Sequence, residues 1–395
     1  MKNLIIKALA ATMVMSATMV RPATAQTENE TRFTIRPTGR VLVDGAVFGP
    51  DGDGFSDGVC LPDIRMGVKA TYGKWYAKID VGYSFGKIGM KDVYMQYSFN
   101  QSNLLRLGYF VHQFGLNAAT SSSMKPAMEA PVSDTYFAAT GRNLGLMYVL
   151  DKEKVFLGAS AMVAGTSMTT YSNDQGKISG GAIGRIVYRP FTGQGSIAQA
   201  GLSLWYQSAL HKKTEDDQGR KVTSPGYFDF SCGFPTRVCK VGMLGADIED
   251  ARGVFKLSPE LVLSKGRLAL ESQYYFMNVS RDGGRPSYLA HGVYGLLRGL
   301  IIGDREYSYS HADAGLATPK PGSLECVLGY NYTDASCSHS GIYGGKSNDY
   351  SVTLNYYINK YMIARLRYSY TDVRGSSVQR DRHVNTLQAR VQFLF

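Results

Sequence analysis

The end of the chain alternates between two kinds of side chain. Every second residue, counted back from the last, is apolar: Phe395, Phe393, Val391, Ala389 and Leu387. The residues between them are mostly polar: Leu394, Gln392, Arg390, Gln388 and Thr386. Successive side chains of a β-strand point to opposite faces, so a period of two with one apolar face predicts a half-buried strand. The arginine in the second set indicates that this face meets water.

The same period recurs in segments of about ten residues, whereas strands of globular proteins typically have about five or six. Clear examples are 64–72, 75–83, 350–358 and 362–370. Tyrosines recur at the ends of the apolar faces, where an amphipathic ring suits a membrane interface. Tight turns also alternate with longer polar loops. A soluble sandwich shows alternation too, but these features favour an all-β chain folded as a transmembrane antiparallel β-barrel.

About sixteen strands are predicted, an even number as in single-chain bacterial barrels. They are expected at 40–48, 62–72, 75–85, 91–99, 103–111, 142–150, 154–164, 178–189, 197–208, 254–264, 267–279, 287–299, 322–332, 348–359, 361–373 and 384–395. A barrel of this size leaves an aqueous lumen. Both termini are then periplasmic and the tight turns fall on the same side. The connection at 300–321 is an exception, because it is long and falls on the periplasmic side.

The first residues have the order of a secretory signal peptide. Lys2 and Lys7 precede the apolar run 8–20, and the small residues 23–25 follow as a cleavage site. We therefore predict a leader at 1–25, a periplasmic segment at 26–39 and an outer-membrane barrel at 40–395. Export and a barrel together predict the outer membrane of a Gram-negative bacterium.

The net charge of +11 includes three basic residues of the leader, Lys2, Lys7 and Arg21. A basic excess in an exported protein favours anionic partners, namely lipopolysaccharide or small anionic solutes. The alternative is that the charge is scattered over surface loops. Nucleic acid is not expected, because no basic cluster is interleaved with stacking aromatic residues.

Several stretches resemble the phosphate-selective porin O/P family of outer-membrane proteins. They are 92–99, 105–115, 141–145, 322–325, 343–346, 354–359 and 387–393, so the resemblance extends over most of the mature chain. The chain departs from the usual family motif at 109–113. The resemblance implies a homotrimeric channel of sixteen strands with an inward-folded third external loop. It also implies a basic constriction that prefers phosphate-like anions.

The third external loop, between His112 and Gly141, is the candidate constriction. If it narrows the lumen, its charges set the selectivity, and Lys125, Arg106 and Arg142 are the expected anion contacts. Further basic side chains on lumen-facing positions would form a track: Arg65, Lys69, Lys78, Arg365, Arg367 and Arg390. The alternative is that these cations pair with inward-facing carboxylates: Asp63, Asp80, Asp92, Glu260, Glu271 and Glu325.

Two further sites are suggested by spacing. Asp51, Asp53 and Asp57 present oxygen ligands as in a calcium loop, although a Gly/Asp-rich external turn explains the same pattern. No other cofactor is expected. Cys232 and Cys239 share one external loop, and export makes a disulfide between them the best candidate pairing.

The expected function is passive diffusion of small hydrophilic, preferably anionic, solutes through a porin. The alternative is a loop-plugged binding or adhesin barrel without conductance. An enzyme is not expected, because the sequence has neither a G-x-S-x-G nor an H-E-x-x-H motif. An outer-membrane hydrolase stays open as an alternative, since catalytic groups on a barrel need not be contiguous in sequence.

Overall fold

Sixteen antiparallel strands pair in sequence order into a closed barrel, and three small hairpins lie in the connections. The computed structural model describes residues 32–49, 54–138, 141–163 and 177–395; the predicted leader lies outside these ranges. The barrel strands are β1 (Thr34–Phe48), β2 (Gly58–Tyr72), β3 (Trp75–Ser84), β4 (Lys87–Ser98), β5 (Asn103–Phe110), β6 (Asn143–Asp151), β7 (Val155–Val163), β8 (Gly180–Gly193), β9 (Ser196–Ser208), β14 (Ala251–Lys265), β15 (Leu268–Arg281), β16 (Tyr288–Ile302), β19 (Ser323–Cys337), β20 (Ile342–Tyr357), β21 (Met362–Arg374) and β22 (Arg382–Leu394). The hairpins are β10 (Lys213–Glu215) with β11 (Lys221–Thr223), β12 (Tyr227–Gly233) with β13 (Gly242–Glu249), and β17 (Tyr309–Ser310) with β18 (Gly315–Leu316).

The first and last strands close the barrel. Arg40 of β1 lies opposite Leu394 of β22, and Gly39 and Phe395 exchange two backbone hydrogen bonds of 2.9 and 3.0 Å. A Cβ atom on Gly39 would lie within 3 Å of the Phe395 ring and of the Arg65 carbonyl, so a larger residue here would displace the Phe395 side chain. Closure leaves no unpaired strand edge, which a membrane-spanning sheet requires because lipid offers no hydrogen-bond partners.

The predicted alternation is confirmed along the strands. On β20, Tyr350, Val352 and Leu354 point outward and are exposed, whereas Thr353 and Asn355 point inward and are buried. Each of the sixteen predicted strands overlaps one barrel strand. Strand β1 begins at Thr34, so 34–39 belong to the barrel sheet. Within the described residues, no helix combines the length and the apolar content that crossing a bilayer requires.

Three connections are long, and they determine what the lumen contains. Loop L3 (111–142, described except 139 and 140) carries helices α1 (Gly115–Ala119) and α2 (Val132–Ala138). Loop L5 (209–250) carries the hairpins β10–β11 and β12–β13. Both loops lie at the external end. The periplasmic segment (303–322) carries the hairpin β17–β18 and lies at the end of the barrel that holds Phe395.

Loop L3 lies inside the barrel, against the strands from β8 to β22, which are called the far wall below. Arg365 of β21 donates hydrogen bonds to the carbonyls of Ser123 and Lys125, at 2.7 and 2.5 Å. Asn355 of β20 donates to the carbonyl of Pro126 at 2.8 Å. Inward-facing side chains therefore satisfy backbone carbonyls of L3, which a buried loop needs because unpaired carbonyls are costly.

Loop L5 and the periplasmic segment enter the lumen as well. In L5, the carbonyl of Pro235 accepts a hydrogen bond of 2.9 Å from Gln388. From the other end, Gly315 reaches L3, where a Cβ atom would lie 2.5 Å from Cδ1 of Leu116. Chain segments from both ends thus occupy the side of the lumen next to β8–β22, and open space is left mainly along β1–β6.

We expect Val352→Arg, in the middle of the outward face of β20, to lower the free energy of unfolding by about 2–4 kcal/mol, because a lipid-facing charge is most costly near the bilayer midplane. Tyr343→Arg, on an exposed residue at the external end of the same strand, should cost only about 0–1 kcal/mol. Urea unfolding of the protein in phospholipid vesicles measures both. Equal losses would contradict the assigned membrane depth of β20.

Candidate functional site

A cavity of about 820 Å³, the main cavity, lies between loop L3 and strands β1–β5. Its lining is strongly basic, with eight cationic side chains and four carboxylates. The cationic residues are Arg40, Arg65, Lys69, Lys78, Arg106, Lys125, Arg142 and Arg237, and the carboxylates are Asp80, Asp92, Asp134 and Asp313. The predicted residues Lys125, Arg106, Arg142, Arg65, Lys69 and Lys78 are therefore brought together around one space.

Part of this charge is compensated by neighbouring strands. The ammonium of Lys78 lies 2.7 Å from carboxylate oxygens of both Asp80 and Asp92. Arg142, at the exit of L3, lies 2.7 Å from the other oxygen of Asp92. The carboxylate Asp63 likewise pairs with cations of the wall, so the predicted alternative of ion pairing holds for this group of residues.

Near the periplasmic end, a row of like charges crosses three strands. Arg36 of β1 lies directly opposite Lys69 of β2, and Lys69 lies directly opposite Lys78 of β3. Neither Arg36 nor Lys69 forms an ion pair with any residue that the structure describes. Like charges directly opposite each other destabilise a sheet. Because Lys78 is paired with Asp80 and Asp92, the unneutralised part of this row is Arg36 with Lys69.

Arg106 of β5 is oriented by uncharged neighbours. Its Nε and Nη2 donate hydrogen bonds to Oε1 of Gln96, at 3.3 and 3.0 Å. Its guanidinium lies 4.3 Å from the ring centre of Tyr94 and 5.4 Å from that of Phe110. No carboxylate among the described residues pairs with Arg106, so no ion pair neutralises the guanidinium that faces the cavity.

A second cavity of about 600 Å³, the periplasmic cavity, adjoins the first one and is lined by turns of the periplasmic end. Arg106 and Gln113 line both cavities, so the two spaces meet there. The tip of the β17–β18 hairpin borders the same junction, since His311 lines the periplasmic cavity and Asp313 lines the main cavity. The junction of the two cavities is therefore a meeting point of β5, L3 and the periplasmic segment.

The predicted basic track has to be corrected on the far wall. Arg365, Arg367 and Arg390 face inward as predicted, but they are almost fully buried and line neither cavity. Arg390 makes a two-pronged ion pair with Asp44, at 2.7 and 2.6 Å, and also contacts the Glu129 carboxylate. These arginines fix loops L3 and L5 and are not free to meet a solute.

Lys125 is also more constrained than expected. Its ammonium donates a hydrogen bond of 2.7 Å to the carbonyl of Asn117 and lies 3.7 Å from the carboxylate of Asp134. Burial lowers the pKa of Lys125. Burial opposes ionisation of Glu129 too, but Arg390 and Arg237 hold the pKa of Glu129 below its usual range. The charge of Lys125 thus serves the internal structure of L3, whereas that of Glu129 ties L3 to β22 and L5.

The disulfide expectation is not met. The five cysteines are free thiols. Cys232 is buried in the apolar core of the β12–β13 hairpin, whereas Cys239 lies beside the carbonyl of Gly54 in another loop. Alternation along β12 directs the Cys232 thiol inward, away from Cys239.

The suggested calcium loop falls largely outside the described residues, which include only its third ligand, Asp57. The Asp57 carboxylate accepts a hydrogen bond of 2.8 Å from the backbone amide of Phe48. Among the described residues, no group of three potential ligands is placed to hold a metal ion.

Sequence reasoning missed two cations, Arg36 and Arg237, and the tip of one hairpin. Arg36 fell outside the strand predicted at 40–48, although it shares the inward phase of Arg40. Arg237 lies in L5 without any periodicity; it is 3.2 Å from Glu129 in L3. The hairpin tip at 311–313 was recognisable only as part of an unusually long periplasmic connection.

A closed sixteen-stranded barrel with a polar cavity along its wall defines an outer-membrane porin of Gram-negative bacteria. Residues 63–395 match the family model described as "Phosphate-selective porin O and P", and the chain belongs to this family. No curated protein sequence is similar enough to match.

Solved structures of similar fold are distant in sequence. A loop L8 deletion mutant of the outer-membrane protein OmpT from Vibrio cholerae has a TM-score of 0.59 and 11% identity, covering 92% of this chain and 99% of that chain. The anion-selective porin from Comamonas acidovorans has a TM-score of 0.56 and 13% identity, covering 92% and 100%. OmpT of Vibrio cholerae in a trimer form has a TM-score of 0.56 and 8% identity, covering 92% and 99%. At these identities the likeness concerns the fold alone.

We expect Arg390→Leu to release L3 from the far wall, because it leaves the Asp44 and Glu129 carboxylates buried without their main partner. Breaking a buried ion pair typically costs about 3–5 kcal/mol. Unfolding in denaturant should show a loss of this size, and amide hydrogen exchange at 123–129 should accelerate. Arg374→Leu removes an exposed pair with Asp372 and should cost at most about 1 kcal/mol. If amide hydrogen exchange at 123–129 is unchanged in Arg390→Leu, Arg390 does not anchor L3.

Proposed function

We propose that this porin passes small hydrophilic anions, phosphate-like in size and charge, along the main cavity and through the junction at Arg106. The observation that carries the proposal is the uncompensated guanidinium of Arg106, which lines both cavities. A cation placed where a passage narrows lowers the barrier for anions and raises it for cations.

The charge distribution across the lumen supports this route. On the far wall, several cations are neutralised in buried pairs, such as Arg185 with Glu260 at 2.7 Å and Arg298 with Glu325 at 2.8 Å. Along β1–β6, in contrast, Arg36, Lys69 and Arg106 lack such partners among the described residues. The positive surplus therefore lies on the side where space is open.

Hydroxyl groups of L3 face part of this basic wall. Ser121, Ser122 and Ser123 line the main cavity, and Ser122 accepts a hydrogen bond of 2.9 Å from Arg40. Guanidinium and hydroxyl donors together suit an oxyanion with several acceptor oxygens. This combination favours phosphate-like solutes over simple halides.

We expect Arg106→Gln to reduce the ratio of anion to cation permeability, because it removes one unit charge at the junction without adding bulk. Planar-bilayer recordings under a salt gradient give this ratio from the reversal potential, and added phosphate tests competition with chloride. Arg252→Gln, on an exposed external residue, is the matched control and should leave the ratio unchanged. Anion preference that survives Arg106→Gln intact would remove Arg106 from the selectivity site.

A loop-plugged barrel for binding or adhesion is the second candidate, and it is favoured by the entry of chain segments from both ends. It predicts no conductance steps from purified protein in a bilayer, together with saturable binding of a ligand or surface. Stable conductance steps would exclude it. We do not propose a catalytic activity, a cofactor or a nucleic-acid partner for either version.

We further propose a homotrimer embedded in outer-membrane lipids and lipopolysaccharide. The trimer form of the similarly folded OmpT from Vibrio cholerae supports the assembly, and the apolar outward face of the strands supports the lipid contact. Native mass spectrometry from detergent should give three times the mass of the mature chain. A purely monomeric mass in mild detergent would overturn the trimer.

A further inference from the structure

The periplasmic segment holds its hairpin tip firmly at the junction. Strands β17 and β18 pair Tyr309 with Leu316 and Ser310 with Gly315. Arg185 of β8 donates hydrogen bonds of 2.9 Å to the carbonyls of both Asp313 and Ala314. The backbone of the tip is thus fixed to the wall, and its position between the cavities is part of the folded structure.

The Asp313 carboxylate at this tip has no cationic partner of its own. Its Oδ2 accepts a hydrogen bond of 3.1 Å from Ser310, and it forms no ion pair with any residue in the described ranges. The nearby guanidinium of Arg185 is already paired in two-pronged fashion with Glu260, at 3.0 and 2.7 Å. The negative charge of Asp313 is therefore available to act on ions in the passage.

The other charged groups near the tip either form ion pairs with other residues or line the cavities. His311 lies 3.5 Å from the carboxylate of Asp151 on β6. Arg189 of β8 pairs with the same carboxylate. Arg106 of β5 lines both cavities together with Gln113 of L3, and Lys74 lines the periplasmic cavity alone. Among the described residues, Arg106 lines both cavities and Asp313 lines the main cavity, and neither forms an ion pair.

We propose that Asp313 is a specificity-determining residue whose protonation state sets the ion preference of the junction. This inference rests on the proposed function as an anion channel and deepens it. When Asp313 is ionised, its charge offsets that of Arg106 and the anion preference is weak. When Asp313 is protonated, the field of Arg106 acts alone and the anion preference is strong.

The direction of the pH dependence follows from the environment of the carboxyl group. Burial raises the pKa of Asp313, since a half-buried carboxyl resists ionisation. Its titration therefore occurs above the usual aspartate range. Anion preference should fall as pH rises through that pKa. His311 lies at the same tip and lines the periplasmic cavity, so its contribution is separated from that of Asp313 by substitution.

The test measures reversal potentials of the full-length mature protein in planar bilayers between pH 4 and 8. We expect the ratio of anion to cation permeability in the wild type to fall by about threefold over the titration of Asp313, the size expected for one unit charge a few ångströms from a passing ion in water. Asp313→Asn should hold the acid-side ratio at every pH, and Asp313→Glu should keep the pH dependence. Glu306→Gln, at an exposed residue of the same segment that lines neither cavity, is the control and should behave as the wild type.

The outcomes separate this inference from the proposed function. If the wild type conducts and prefers anions but its ratio does not change with pH, Asp313 does not set the preference. A pH step that persists in Asp313→Asn and disappears in His311→Gln would assign the effect to the histidine and overturn the proposal. If the wild type does not conduct at all, the channel function itself fails. Barrel folding of each variant is checked by its heat-sensitive migration in detergent gels.

Discussion

Closure of the sheet is the constraint on which the rest of the structure depends. Lipid cannot satisfy backbone amides or carbonyls, so β1 must pair with β22, as the exchange of hydrogen bonds between Gly39 and Phe395 shows. Sixteen strands enclose a lumen that wall side chains alone cannot fill. Loops enter this space, and their own backbone groups then need partners. Arg365 and Asn355 supply them for L3.

This requirement divides the wall into two electrostatic regions. Where loops cover the wall, a buried cation is costly unless it is paired with a carboxylate or hydrogen-bonded. The far wall accordingly carries Arg390 with Asp44 and Arg298 with Glu325. Where the wall faces open space, water solvates the side chains and a surplus of cations is tolerated. The basic surface of β1–β6 is therefore a consequence of where the loops do not lie.

The same reasoning explains what the sequence could predict. Alternation depends only on near neighbours along one strand, so it located strands such as β20 and β22 and the inward phase of Arg65 and Arg365 alike. Alternation could not show that Arg65 faces open space whereas Arg365 is covered by L3. That difference depends on a contact between Arg365 and Lys125, which are more than two hundred positions apart. Arg36 was lost because the start of β1 was placed at residue 40. The β12–β13 hairpin was missed because its two strands pair with each other within L5 and not with a barrel strand.

The row formed by Arg36, Lys69 and Lys78 shows how a porin can keep a charged surface without binding too tightly. Each like-charged cross-strand pair costs roughly 0.2–1 kcal/mol, which a barrel of this size tolerates. A carboxylate can remove that cost, as Asp80 and Asp92 do for Lys78, but it also removes the attraction for anions. A passing anion offsets the repulsion only while it is present. The free energy of anion binding at each site is therefore small. Conduction requires such weak binding at successive sites, since a solute must leave as readily as it enters.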